Sequence, residues 1–134
     1  MKTIKFRGKE ADTGHWVYGF YFETEVGSFV GKYNEERQVI PKSVSQLAKD
    51  IGGREFFDGD IGKTKDKAEL IVVLAWIDEH GMYAWLTPDE YKALAAGCLN
   101  LDKIMFWTYA FQDKYAEEVE IIGNVFDNPE LLEI

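Results

Sequence analysis

Few residues in this chain are of the types that do chemistry, and their spacing narrows the options. The candidates are two histidines, His15 and His80, a single cysteine, Cys98, and the closely spaced carboxylates Asp58 and Asp60. In Asp58-Gly59-Asp60 the two carboxylates could act as an acid/base pair or hold a divalent cation. Calcium, however, needs about six to eight oxygens, and the spacing of an EF-hand loop is missing here. The competing reading is structural: Gly59 adopts a left-handed turn conformation while the aspartates accept bonds from neighbouring backbone N–H groups. We adopt the structural reading. His80, following Asp78-Glu79, has carboxylate neighbours suited to proton transfer, but the segment reads as a solvated hairpin tip. Cys98 follows Gly97 at a helix end and reads as a small buried apolar residue. No phosphate-binding glycine loop, nucleophile elbow or paired-histidine motif is present, and Asp50-Ile51-Gly52-Gly53-Arg54 lacks the strand-loop-helix context of a P-loop. No catalytic residue, cofactor or metal is expected.

The elements that must carry these residues read mostly as strands. Thr3–Arg7 alternates, with Ile4 and Phe6 on one face and Lys5 and Arg7 on the other. Trp16, Tyr18, Phe20 and Phe22 repeat at period two, which places four aromatics on one face of a strand. The run Leu70–Ile77, the loop Asp78-Glu79-His80-Gly81 and Met82–Leu86 form a hairpin. Phe56-Phe57 is a strand entering the Asp58-Gly59 turn. Val119–Phe126 is a strand, with Gly123-Asn124 marking a bulge or a close backbone approach. Lys103–Phe111 also favours a strand. Gln38-Val39-Ile40 runs into Pro41, which ends or edges that strand, and Ser43–Asp50 is assigned one or two helical turns closed by Gly52-Gly53. The clearest helix spans residues 88–96: Thr87 caps it, Pro88 suits its first position, Asp89 and Glu90 complement its dipole, and Gly97 ends it. A short helical turn follows Asn128-Pro129. The predicted core is Phe6, Tyr18, Phe20, Val72, Leu74, Trp76, Leu94, Ile121 and Val125.

Taken together these elements predict a mainly β, β-dominated α+β fold: a bent antiparallel sheet or partly open barrel in one domain over 1–134. A hydrophobic content of 46% is ample for a core, and no run approaches the 18 apolar residues of a membrane-spanning helix. With a single cysteine and no apolar leader at the start, a cytoplasmic protein is expected. The net charge of −9 is uneven: +1 over residues 1–42, −3 over 43–86 and −7 over 87–134. An acidic surface repels the phosphate backbone, which argues against nucleic acid as a partner.

Three separated segments fit one register: Ile4-Lys5-Phe6-Arg7, Phe57-Asp58-Gly59-Asp60-Ile61, and Ile121-Ile122-Gly123-Asn124-Val125-Phe126 with Asn128-Pro129-Glu130-Leu131-Leu132. Trp16-Val17-Tyr18-Gly19 and Val39-Ile40-Pro41-Lys42-Ser43 lie between them in the same order. Together they resemble the YopX family, which is carried by phages and prophages. The sequence departs from that family at Gly8-Lys9-Glu10, where many members continue with aromatic and acidic residues, and at Gly52-Gly53-Arg54, which replaces Asn-Gly-Lys. None of these motifs is a catalytic signature, so the resemblance implies a fold and a phage context.

The expected function is therefore that of a non-enzymatic accessory protein which binds a host or phage protein or associates with itself. The surface expected to serve it comprises Trp16, Trp85, Trp107, Asp58 and Asp60, because 20 aromatic residues are many for one small core. The alternative is an enzyme or a small-ligand or metal binder that uses Asp58 and Asp60 with a cleft aromatic such as Trp16. A third reading is nucleic-acid binding through the basic strand Lys2, Lys5, Arg7 and Lys9, or DNA mimicry by the acidic C-terminal third.

Overall fold

The computed structural model describes residues 4–65, 67–100 and 118–133. They fall into two compact units, Met1–Phe57 and Asp58–Ile134. The fold is mainly β, with two antiparallel sheets and, among the described residues, one α-helix and no closed barrel.

The first unit holds six strands: β1 (Phe6–Lys9), β2 (Trp16–Thr24), β3 (Gly27–Gly31), β4 (Arg37–Val39), β5 (Ser45–Ile51) and β6 (Arg54–Phe57). Their order across the sheet is β4-β3-β2-β1-β5-β6, so the first strand in sequence lies inside the sheet. One face buries Gly8, Ser28, Val30 and Val39, and Phe6 packs on Tyr21 with ring centroids 5.4 Å apart. Gly8 fits closely there: a Cβ would lie 3.1 Å from the Val39 side chain. Pro41 ends β4 in a 3-10 turn, Pro41–Ser43. The buried Ser43 hydroxyl accepts from Lys9 N–H at 2.8 Å and donates to the Ile40 carbonyl at 2.6 Å, fixing that turn to β1.

The helical turns expected over Ser43–Asp50 are instead β5. Gly52 and Gly53 both take positive φ (+61° and +88°), the requirement of a two-residue type I′ hairpin, and Ile51 pairs with Arg54 across them. The glycines thus turn a hairpin rather than close a helix, and pairing with β1 on the other side draws 45–51 into the sheet.

The second unit orders its strands β10-β7-β8-β9, with β7 Asp60–Thr64, β8 Ile71–Ile77, β9 Met82–Leu86 and β10 Val119–Asn124. The hairpin of β8 and β9 forms where expected, through a 3-10 turn and Gly81 in the left-handed conformation. The helix α1 (Pro88–Ala95) begins with a full capping box. Thr87 Oγ1 accepts from Glu90 N–H at 3.2 Å and Glu90 Oε1 accepts from Thr87 N–H at 2.9 Å. Tyr91 and Leu94 of this helix pack on Ala75, Ile77, Ala84 and Leu86. Behind β7, Ile61, Val73 and Leu132 form a second cluster with Val125 against it. A 3-10 turn, Pro129–Leu132, ends the described chain.

Several core expectations are corrected. Val72 and Leu74 are fully buried, but Trp76 is 41% exposed at the loop end of its hairpin, beside Tyr83. Trp85, expected at the surface, is 0% exposed. It lies directly across from Leu74, and since β8 is buried on both faces up to Trp76, the ring opposite Leu74 is buried with it. Tyr18 and Phe20 are exposed (41% and 68%), and Cys98 is exposed too. The strand expected at Lys103–Phe111 lies outside the described residues. No described helix is long and apolar enough to cross a membrane.

Candidate functional site

The exposed aromatics of the first unit are not scattered. Antiparallel pairing sets Lys9 across from Trp16 and Arg7 across from Tyr18, so the basic residues of β1 and the aromatic row of β2 share one face. The Arg7 guanidinium lies 4.6 Å from the ring centroids of both Trp16 and Phe57, and its Nε donates to Ser45 Oγ at 3.1 Å. Lys9 Nζ is 4.8 Å from the Trp16 centroid, and Lys5 Nζ is 5.3 Å from that of Tyr18. Lys5 also pairs with Glu55 at 2.7 Å. Each cation–ring contact at such a half-exposed position is worth about 0.5–1 kcal/mol. The result is an ordered ladder of alternating cations and rings.

Farther along β2 the rings lose these cations, and Phe20 is the most open of the row. Phe20 is 68% exposed, because its cross-strand partner is Gly31, which has no side chain to cover it. Phe22, 39% exposed, stacks on Phe29 of β3 with centroids 5.3 Å apart and planes 12° from parallel. Next to the other end of the row opens a groove of about 720 Å³, whose walls include Lys5, Trp16, Tyr18, Lys32, Arg37 and Glu55. Its carboxylates balance its cations, so it is a polar cleft with an aromatic wall.

Charge follows the division of the chain. Residues 1–57 carry nine Lys/Arg and eight Asp/Glu, a net +1, whereas residues 58–134 carry six and sixteen, a net −10. The acidity of the protein therefore belongs wholly to the second unit.

The residues singled out from sequence have separate fates. Trp16 lies on the ladder and lines the groove. Trp85 is interior, and Trp107 lies outside the described residues. Asp58 and Asp60 flank Gly59, whose φ of +87° is the left-handed turn expected. This turn is structural in its connections: Gly59 N–H donates to Leu74 O at 2.8 Å, and its carbonyl accepts from Val125 N–H at 2.9 Å. Asp60 is 3% exposed, at the start of β7. Asp58 is half-buried; its charge, after burial, helps push the Tyr83 hydroxyl up to about 12 and raises Tyr91 for the same two reasons. Both phenols therefore stay protonated at neutral pH and cannot serve as bases. Among the described residues, no group of three or more His, Cys, Asp or Glu side chains is arranged to hold a metal ion.

Sequence reasoning missed Phe20 and Phe22 as surface groups, having assigned Tyr18 and Phe20 to the core. The signal that could have found them is the period-two row of Lys5, Arg7 and Lys9. Charged side chains on β1 mark the solvent face, and the residues that pair with them must share it.

The family model described as YopX protein matches residues 5–133. The chain belongs to the YopX family. That match spans both units and includes every residue of the ladder. No curated protein matches the chain.

Proposed function

We propose that this YopX-family chain is a phage- or prophage-derived accessory protein that acts in the cytoplasm by binding, not by catalysis, and that its working surface is the aromatic–cation face of the six-stranded sheet. The observation that carries this reading is Phe20, a large ring 68% exposed in the middle of a strand, within a row that also exposes Tyr18 and Phe22. Contiguous exposed rings of this kind are costly in a free soluble domain and mark interaction sites. Arg and aromatic side chains are also the types in which binding energy concentrates. The ladder holds its cations and rings in fixed positions before any partner arrives, which reduces the ordering cost of association.

The test is affinity capture from an infected or lysogenic host, run in parallel with wild type, Phe20→Asp and Trp76→Asp. Trp76 is an exposed aromatic in the other unit and controls for general loss of stickiness. The reading expects one specific partner, a macromolecule of host or phage or a second copy of the chain, retained by wild type and Trp76→Asp and lost by Phe20→Asp. Equal retention by all three proteins would refute this choice of surface.

A further inference from the structure

We infer that the partner held by this face is a single-stranded nucleic acid, an assignment that rests on the reading of the face as the working surface. The face presents two rows side by side: cations at Lys5, just before β1, and at Arg7 and Lys9 on β1, and rings on β2 at Trp16, Tyr18, Phe20 and Phe22. Neighbours within a row are about 6.8 Å apart and the two strands about 4.8 Å apart, from strand geometry. The cations lie against Trp16 and Tyr18 and the rings run on to Phe20 and Phe22, so a ligand that follows the strand must offer both anions and flat π faces along its length. Nucleic acid has that composition, with one base and one phosphate per nucleotide. An acidic peptide offers the anions but not a ring at each step.

The accessible ring faces select a single strand. In a duplex the base faces are stacked on one another and closed to side chains, whereas unpaired bases stack on exposed aromatics regardless of sequence. Phe20 is 68% exposed, with no side chain across from it at Gly31, and Phe22 continues a stack already begun with Phe29. The overall charge of −9 argues against phosphate binding only if it is spread evenly, and it is not: residues 1–57 carry +1. The acidic second unit lowers the affinity for any polyanion, so the binding is modest and salt-sensitive. Three cations set a slope no steeper than about −2 in log K against log salt, at about 0.7 per phosphate neutralised on a single strand, and the pairing of Lys5 with Glu55 makes it shallower.

The experiment is fluorescence anisotropy of the full chain with a labelled 20-nucleotide oligo(dT), the matching oligo(U) and a duplex of equal length, from 50 to 200 mM salt. The expected result is binding of a single strand with a salt slope no steeper than about −2, and of the duplex at least tenfold more weakly. Phe20→Ala should lose about fivefold to 150-fold, the range for one base–aromatic stack, and Phe20→Trp should retain binding. Because Phe20 is a surface residue, both variants are expected to fold. No binding at 50 mM salt, equal affinity for the duplex, or indifference to Phe20→Ala would each overturn the inference. If the oligonucleotides fail while a protein partner is captured in a Phe20-dependent way, the inference falls and the proposed working surface stands. If nothing depends on Phe20, both fall.

Discussion

Phe20 lies directly across the sheet from Gly31, and this pairing keeps its ring in solvent. The glycine is fixed by its own surroundings: a Cβ on Gly31 would come within 2.7 Å of the Glu35 carbonyl oxygen and the Glu36 Cα. The loop after β3 thus takes the space a cross-strand side chain would occupy, and the exposure of Phe20 is a consequence of the fold.

The two aromatics whose positions were reversed between sequence and structure should separate in stability. Phe20→Ala should shift the denaturation free energy by no more than about 0.5 kcal/mol, as surface substitutions do. Trp85→Ala, at a fully buried site, should cost about 3–5 kcal/mol. Urea midpoints of the two variants at constant m-value check this.

Gly59 combines a left-handed backbone with a crowded flank, since a Cβ would lie 3.0 Å from Val125 Cγ2. Gly59→Ala should therefore destabilise by more than the ~1 kcal/mol typical of an L-residue in this conformation. Thermal unfolding of the variant measures it, and an unchanged midpoint would show that the turn relaxes freely.

The C-terminal turn depends on Asn124. Its Oδ1 accepts from the N–H groups of Phe126 and Asp127 at 3.0 and 2.9 Å, and its Nδ2 donates to Asp127 Oδ2 at 3.1 Å. Asn128 Oδ1 returns to Asn124 N–H at 3.3 Å, through space that only a glycine at 123 leaves open. Asn124→Ala should cost about 1–3 kcal/mol, because two donors in a partly buried turn lose their acceptor. Hydrogen exchange should show faster exchange at Phe126 and Asp127 first.

Alkaline pH should weaken the second unit through Tyr83. Its hydroxyl ionises near pH 12 when folded, against about 10 for an unhindered phenol, mainly because of burial and secondly because of Asp58. A raised folded pKa means that the contribution is fully present below pH 10 and is lost as pH climbs from about 10 towards 12. Tyr91 is shifted in the same direction. Tyr83→Phe should flatten the alkaline limb of a stability-against-pH curve measured by chemical denaturation.

Local signals in the sequence were read correctly where one short motif decides the outcome. Thr87-Pro88-Asp89-Glu90 specifies a helix start, Asp78–Gly81 a hairpin loop, and Gly59 a left-handed turn, and each forms as its own chemistry requires. The bulge expected at Gly123-Asn124 is present as a register shift between Ile121 and Gly123. What local patterns do not carry is the choice of face. The row from Trp16 to Phe22 has the period of a half-buried strand, and period alone leaves open which side is wet. Pairing with Arg7 and Lys9 settles it, and that pairing is tertiary. Likewise Ser45–Ile51 has mixed local propensity and becomes a strand because β1 and β6 pair with its two edges. Trp76 and Trp85 exchange roles because β8 is covered on both faces from Val72 to Ala75, and beyond that only the Trp76 side is open while Ile77 stays buried.

The most direct test of the account is hydroxyl-radical footprinting of the full chain, free and saturated with oligo(dT), read residue by residue by mass spectrometry. The account predicts that oxidation of Tyr18, Phe20 and Phe22 falls strongly on binding while Trp76 reacts as before. Unchanged oxidation of Phe20 in the saturated protein, or protection confined to residues 58–134, would contradict it.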